Sequence, residues 1–153
     1  MPDVARTTAG SHGRPTRARE AWSLVLELLL SERGRMPTIA AALSLSPVQC
    51  HVLRLLEPGK PLPMRQIAAA LACDASNVTG IVDRLEGRGL LERRGAAHDR
   101  RLRVLVITRR GAAVRTRLLA RLTDPPPAIT CLSRAEQRTL CDILRRALPR
   151  PRA

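Results

Sequence analysis

The sequence predicts a mainly α-helical chain carrying one small wing of two to three strands, on three observations. First, two apolar stripes of helical period stand close together: Ile67, Ala68 and Leu71 fall at i, i+1 and i+4, and Val78, Val82 and Leu85 at i, i+4 and i+7, with a short turn between them. Second, Leu102, Val104 and Val106 alternate with Arg103, Leu105 and Ile107, the period of a strand, and Leu90 to Arg94 can pair with it. Third, both ends carry helical patterns with surplus apolar surface. Two short helices over a tight turn, followed by a hairpin with a basic loop, define a winged helix-turn-helix. The N- and C-terminal helices that flank it are expected to form a dimerisation region.

Each element has its residue-level reason. Residues 1–17 mix Gly, Ser, Thr, Pro and Arg without periodicity, which predicts a disordered basic arm. Residues 18–45 are expected to be an N-terminal dimerisation helix and linker. From Ala18 to Glu32, Trp22, Leu24, Val25, Leu26, Leu28, Leu29 and Leu30 occupy nearly the whole circumference. A helix apolar all round needs burial on more than one side, most easily supplied by a second copy of the chain. Gly34 and Pro37 break it, and Met36 to Leu45 reads as a short helix or loop.

The DNA-binding domain is expected over residues 46–114. Ser46 caps its first helix and Pro47 takes the first helical position, with Val48, Val52, Leu55 and Leu56 predicted to line one face. Pro58-Gly59 ends that helix, and Leu62 supplies a short segment to pair with the wing. Asp74 is the expected N-cap of the second helix of the pair, and Gly87-Arg88-Gly89 its C-terminal stop. Residues 115–148 are expected to hold C-terminal dimerisation helices. Val114, Leu118 and Leu122 are spaced by four until Asp124-Pro125-Pro126-Pro127 stops the helix. A last helix starts at Ser133, with Glu136 completing a capping box, and carries Leu140, Ile143, Leu144 and Ala147 on one face. Residues 149–153 are a tail.

Composition bounds the function. At 153 residues the chain is long enough for one domain with a real core. Its 27 basic residues against 13 acidic ones give a net charge of +14, which points to a polyanionic partner such as nucleic acid. All the basic residues but Lys60 are arginine, which suits phosphate and guanine, although a GC-rich coding sequence produces the same skew. Trp22 is the only aromatic residue, so base stacking on single strands is nearly excluded. No stretch reaches the roughly 20 apolar residues that a bilayer requires, and a cytoplasmic protein is expected. Cys50, Cys73, Cys131 and Cys141 form no CxxC pair and have no histidines at zinc spacing, so no metal or other cofactor is expected. His51 beside Cys50 invites a nucleophile reading, but neighbours on a helix point about 100° apart and no acid is placed to orient the histidine. No catalytic residue, and no enzyme, is expected.

The pieces Asn77-Val78-Thr79, Val82-Asp83-Arg84-Leu85-Glu86, Arg88-Gly89-Leu90, Asp99-Arg100-Arg101, Leu105-Val106-Ile107-Thr108 and Gly111 follow one another in an order and spacing that resembles the multiple antibiotic resistance regulator (MarR) family. The likeness is close from Ser46 to Val114, and the flanking helices match in pattern. It implies a homodimer whose flanking helices interlock, with Trp22, Leu26, Leu29, Leu140, Ile143 and Leu144 as the expected contacts. It also implies a repressor that responds to a small-molecule effector bound around Trp22 and His51. Some relatives sense oxidants through cysteine, but here the first helix has none, and a thiol-based redox sensor is the lesser alternative.

On the second helix of the pair, Ser76, Asn77, Thr79, Gly80, Asp83 and Arg84 lie away from the apolar stripe. Ser76, Asn77 and Thr79 are short donors and acceptors at its N-terminal end, and Arg84 can reach a guanine or a phosphate. In the wing, Arg101 matches the second arginine of the family's Asp-Arg-Arg motif and is expected in the minor groove. Asp99 is expected to orient an arginine by a charge-assisted hydrogen bond. Arg65, Arg93, Arg94, Arg100 and Arg103 are expected at phosphates. A two-fold protein reads a two-fold site, so the expected partner is double-stranded DNA carrying an inverted repeat with half-sites about one helical turn, ~34 Å, apart. Two rival readings are a non-specific architectural DNA-coating protein and a winged helix that binds only another protein.

Overall fold

The computed structural model describes residues 16–72, 75–95 and 103–148, with the side chains of 75 and 76 left aside. The expected cap at Asp74 and the wing-tip residues Asp99, Arg100 and Arg101 lie outside the described residues, as do Cys73 and the N-terminal arm. The chain forms two compact units, residues 1–33 and 34–153.

The first unit contains helix α1 (Arg17–Ser31), capped by the Thr16 hydroxyl, which accepts from the Arg19 N–H at 3.4 Å. The apolar circumference read from the sequence is on view in the single chain: no α1 residue is buried, and Trp22 is 63% exposed.

The second unit opens with α2 (Arg35–Ala42) and α3 (Pro47–Leu55). The Ser46 hydroxyl accepts from the Gln49 N–H at 3.3 Å and Gln49 Oε1 accepts from the Ser46 N–H at 2.9 Å, a reciprocal capping box. The buried stripe of α3 runs through Gln49, Val52 and Leu53 to Leu56, with Cys50 beside it, whereas Val48 is exposed and Leu55 half-buried. Those positions, 49, 52, 53 and 56, follow the i, i+3, i+4, i+7 rule. A polar first member, drawn inward by its capping role, disguised the stripe.

Strand β1 (Leu62–Pro63), α4 (Met64–Leu71), α5 (Ala75–Gly87), β2 (Leu91–Gly95) and β3 (Arg103–Ile107) follow. They form a three-stranded antiparallel sheet in the order β1-β3-β2, with Leu62 opposite Leu105 and Leu91 opposite Ile107. Helix α5 ends in a Schellman motif: Gly89, at φ +66°, donates to the Glu86 carbonyl at 2.7 Å, and Leu90 to the Leu85 carbonyl at 3.0 Å. The core is aliphatic throughout. Leu53, Leu56, Ile67, Val78, Val82, Leu85, Leu105 and Leu118 have no exposed surface, so α3, α4, α5, β3 and α6 (Arg109–Thr123) share one cluster. Burial of such side chains, at roughly 25 cal/mol per Å² of apolar area, is what holds short helices that would be marginal alone.

Thr108 caps α6 and joins it to the turn after α5. Its hydroxyl accepts from the Gly111 N–H at 3.0 Å and donates to the Gly89 carbonyl at 2.7 Å. Helix α6 runs unbroken across the boundary expected between 114 and 115. The Arg35 side chain donates to the Arg121 carbonyl at 2.9 Å and to the Asp124 carbonyl, closing the far end of α6. After the predicted stop, a short helix that was not expected, α7 (Pro127–Thr130), uses Pro127 as its first residue. Helix α8 (Arg134–Ala147) begins with the predicted capping box of Ser133 and Glu136, whose hydrogen bonds hold the Glu136 carboxyl below its ordinary pKa. Ile143 and Leu144 on its apolar face are 47% and 43% exposed.

Candidate nucleic-acid interface

Helix α5 is anchored by Val78, Val82 and Leu85, all without exposed surface. Three residues at i, i+4 and i+7 pin one side, so the opposite side faces out. Asn77, Thr79, Gly80, Asp83 and Arg84 are all exposed there, and Asn77, Gly80, Ile81 and Arg84 line an open hollow. The fold therefore brings together five of the six residues expected on this face; Ser76 belongs to the same helix, but its side chain lies outside the described part of the structure. A Cβ added to Gly80 would meet nothing within 4 Å, so packing within the chain does not require glycine there.

The hairpin lies alongside. Arg103, opposite Gly95 in the sheet, is exposed on its approach to the tip. Arg94 is exposed and pairs with Glu92, and Arg65 is exposed in the first turn of α4. Arg93 departs from the expectation of a phosphate contact. Its side chain is only 22% exposed and its guanidinium is engaged by both acids of α5: Nη2 donates to Asp83 Oδ1 at 2.5 Å and Nη1 to Glu86 Oε2. Its backbone N–H also donates to Glu86 Oε1, at 3.0 Å. Burial alone would lower the Arg93 pKa, but the hydrogen bonds and charges of Asp83 and Glu86 more than offset it and hold the cation above its ordinary value. Sequence reasoning missed this bridge. The available signal was two acids at i, i+3 on one helix and an arginine on the strand that follows.

A second tether was also missed: Arg88 donates to the carbonyl of Ser44, a non-glycine residue at φ +54° in the turn between α2 and α3. The expected effector residues fall in different compact units, Trp22 in the first and His51 in the second. His51 Nε2 lies 3.2 Å from Arg54 Nη2. Cys50 has no exposed surface and burial pushes its thiol pKa up, whereas Cys131 and Cys141 are exposed. Among the described residues, no three His, Cys, Asp or Glu side chains group to hold a metal ion, and no single helix is long and apolar enough to cross a membrane.

A buried helix-turn-helix that presents the polar face of its second helix beside a hairpin defines the class: a winged helix-turn-helix protein. The MarR family model matches residues 45–102, so that segment is similar to the MarR family. An uncharacterized HTH-type transcriptional regulator of Bacillus subtilis (strain 168), YfiV, is 34% identical over 90 residues, which are 59% of this chain and 56% of that relative. The chain thus matches only about half the length of that curated relative. Among solved structures, YusO of Bacillus subtilis superimposes with a TM-score of 0.68 at 24% identity, covering 88% of this chain and 97% of that one. A point mutant of S. aureus MepR bound to an oligodeoxyribonucleotide gives a TM-score of 0.63 at 20% identity, covering 82% and 94%. Likeness at those identities speaks for the fold.

Proposed function

We propose that the chain is a double-stranded DNA-binding transcriptional regulator that acts as a homodimer on an inverted repeat and represses until a small molecule releases it. The observation that carries the DNA-binding part is the outward face of α5, where Asn77, Thr79, Gly80 and Arg84 stand exposed along a helix whose other side is wholly buried. Asn77 can pair with an adenine edge and Arg84 with a guanine or a phosphate, while Arg65, Arg94 and Arg103 supply charge at the margins. The net charge of +14 favours approach to a polyanion at any sequence. The MepR mutant of like fold was solved with an oligodeoxyribonucleotide, which supports the same use here. The homodimer rests on the exposed apolar residues of α1 and α8, and the effector response, around Trp22 and His51, on the family likeness.

Competition binding tests this directly. The full chain should prefer a duplex selected from a random pool over random duplex by ~10³ or more, with affinity falling steeply as salt rises. Asn77→Ala and Arg84→Ala should each lower that preference. Equal affinity for both duplexes would mark an architectural DNA-coating protein, and absence of salt-dependent DNA affinity would mark a protein-binding winged helix.

A further inference from the structure

We infer that Arg93 is a positioning residue, a bridge that sets the angle between the reading helix and the wing through Asp83 and Glu86. This rests on the DNA-binding reading above and assigns a different role to Asp83 and Arg93 from the one their sequence positions suggested.

Asp83 and Glu86 stand about one turn apart on α5, so their carboxylates share a side of the helix. Asp83, with a side chain 56% exposed, belongs to the outward face, and an uncompensated carboxylate there would repel the phosphates that Arg84 and the wing attract. Arg93 meets both acids at once, one terminal nitrogen to each, which suits the rigid fork of a guanidinium and exceeds the reach of a single ammonium point charge. The backbone N–H of Arg93 bonds Glu86 as well, so the strand itself is keyed to the helix. Because Arg93 is paired with Leu105 across the sheet, and the hairpin continues to Gly95 and Arg103, the direction in which the wing leaves the helix follows from this one junction. Base contacts need placement to within about 0.5 Å, so a loosened junction costs discrimination before it costs charge. On this assignment Asp83 is an internal partner of the wing, and its influence on DNA passes through Arg93.

The test compares Arg93→Lys, Arg93→Met and Arg93→Lys/Asp83→Asn in the full chain. Each is titrated over a range of salt against a duplex that the parent has selected from a random pool and against random duplex. Arg93→Lys keeps the charge and loses the fork. A positioning role predicts that its preference for the selected duplex falls about tenfold while the slope of log affinity against log salt stays at the parent's value. Adding Asp83→Asn leaves one acid for one ammonium and should recover part of the preference. Arg93→Met should lose the same preference and, with its two acids now uncompensated, also bind both duplexes more weakly; if it fails to fold, the two lysine variants decide alone. The inference is overturned if Arg93→Lys keeps the full preference, or if adding Asp83→Asn recovers nothing. It is also overturned if Arg93→Met weakens both duplexes equally with the slope reduced by about 0.9, the mark of a direct phosphate contact. A parent that does not distinguish the two duplexes refutes the DNA-binding reading itself and takes this role with it.

Discussion

Gly80 is a helix-interior glycine whose presence costs about 1 kcal/mol relative to alanine, yet a Cβ there would stand in open space. Packing within the chain does not call for glycine there, and we propose that close approach of DNA to α5 does. Gly80→Ala should therefore stabilise the protein by about 0.5–1 kcal/mol in denaturant unfolding while weakening DNA binding. A variant that is more stable and binds as well as the parent would contradict the placement of DNA against this face. The cysteines give a second residue-scale expectation. Cys50 is buried with its thiol pKa raised, and only thiolate reacts, so it should resist iodoacetamide near neutral pH in the native chain while Cys131 and Cys141 are labelled. Peptide mass mapping checks this, and rapid native labelling of Cys50 would reopen the redox alternative. At this scale the sequence identified Asn77, Thr79, Gly80, Asp83 and Arg84 as outward-facing, because three apolar anchors at helical spacing leave only one free side. It did not show that Asp83 is already partnered, since an ion pair across the helix-to-strand junction leaves no periodic trace.

Between elements, the joint that matters most is the meeting of the α5 turn with the start of α6. A Cβ on Gly111 would lie 1.8 Å from the Leu90 carbonyl oxygen, an impossible contact with backbone, and 2.8 Å from Ile107 Cγ1. Gly111→Ala must push α6 away from Leu90 and disturb the Thr108 hydrogen bonds to Gly89 and Gly111, so it should cost on the order of 2–3 kcal/mol in denaturant unfolding. A cost within the error of the measurement would show that the joint is loose. The caps at Ser46 and Ser133 and the glycine stop after α5 followed from local rules, because each is a contact between residues a few positions apart. The α3 stripe was misread because its first buried member is Gln49, a polar residue whose place inside depends on its capping role. Helix α7 escaped notice because a run of prolines reads as a stop, although Pro127 is also well suited to start a helix.

For the whole molecule, the decisive surfaces are those that one chain leaves uncovered. Ile143 and Leu144 stand exposed on α8, and Trp22 and Leu29 on α1. A homodimer would remove that apolar area from water, at roughly 25 cal/mol per Å². Introducing charge with Leu144→Arg should yield monomers in sedimentation and lose most of the affinity for a two-fold site, since a lone copy engages one half-site. Dimers that persist at micromolar concentration would place the interface elsewhere. The surplus apolar surface at both ends was evident from the sequence, because a helix apolar all round is hard to satisfy in so small a chain. The measurement that bears most directly on the central claim is selection of bound duplexes from a random pool by the full chain. A two-fold reader should enrich one inverted repeat with half-site centres about 10 base pairs apart, or a multiple of that spacing. A pool that stays random, or that enriches a single unrepeated element, would contradict it.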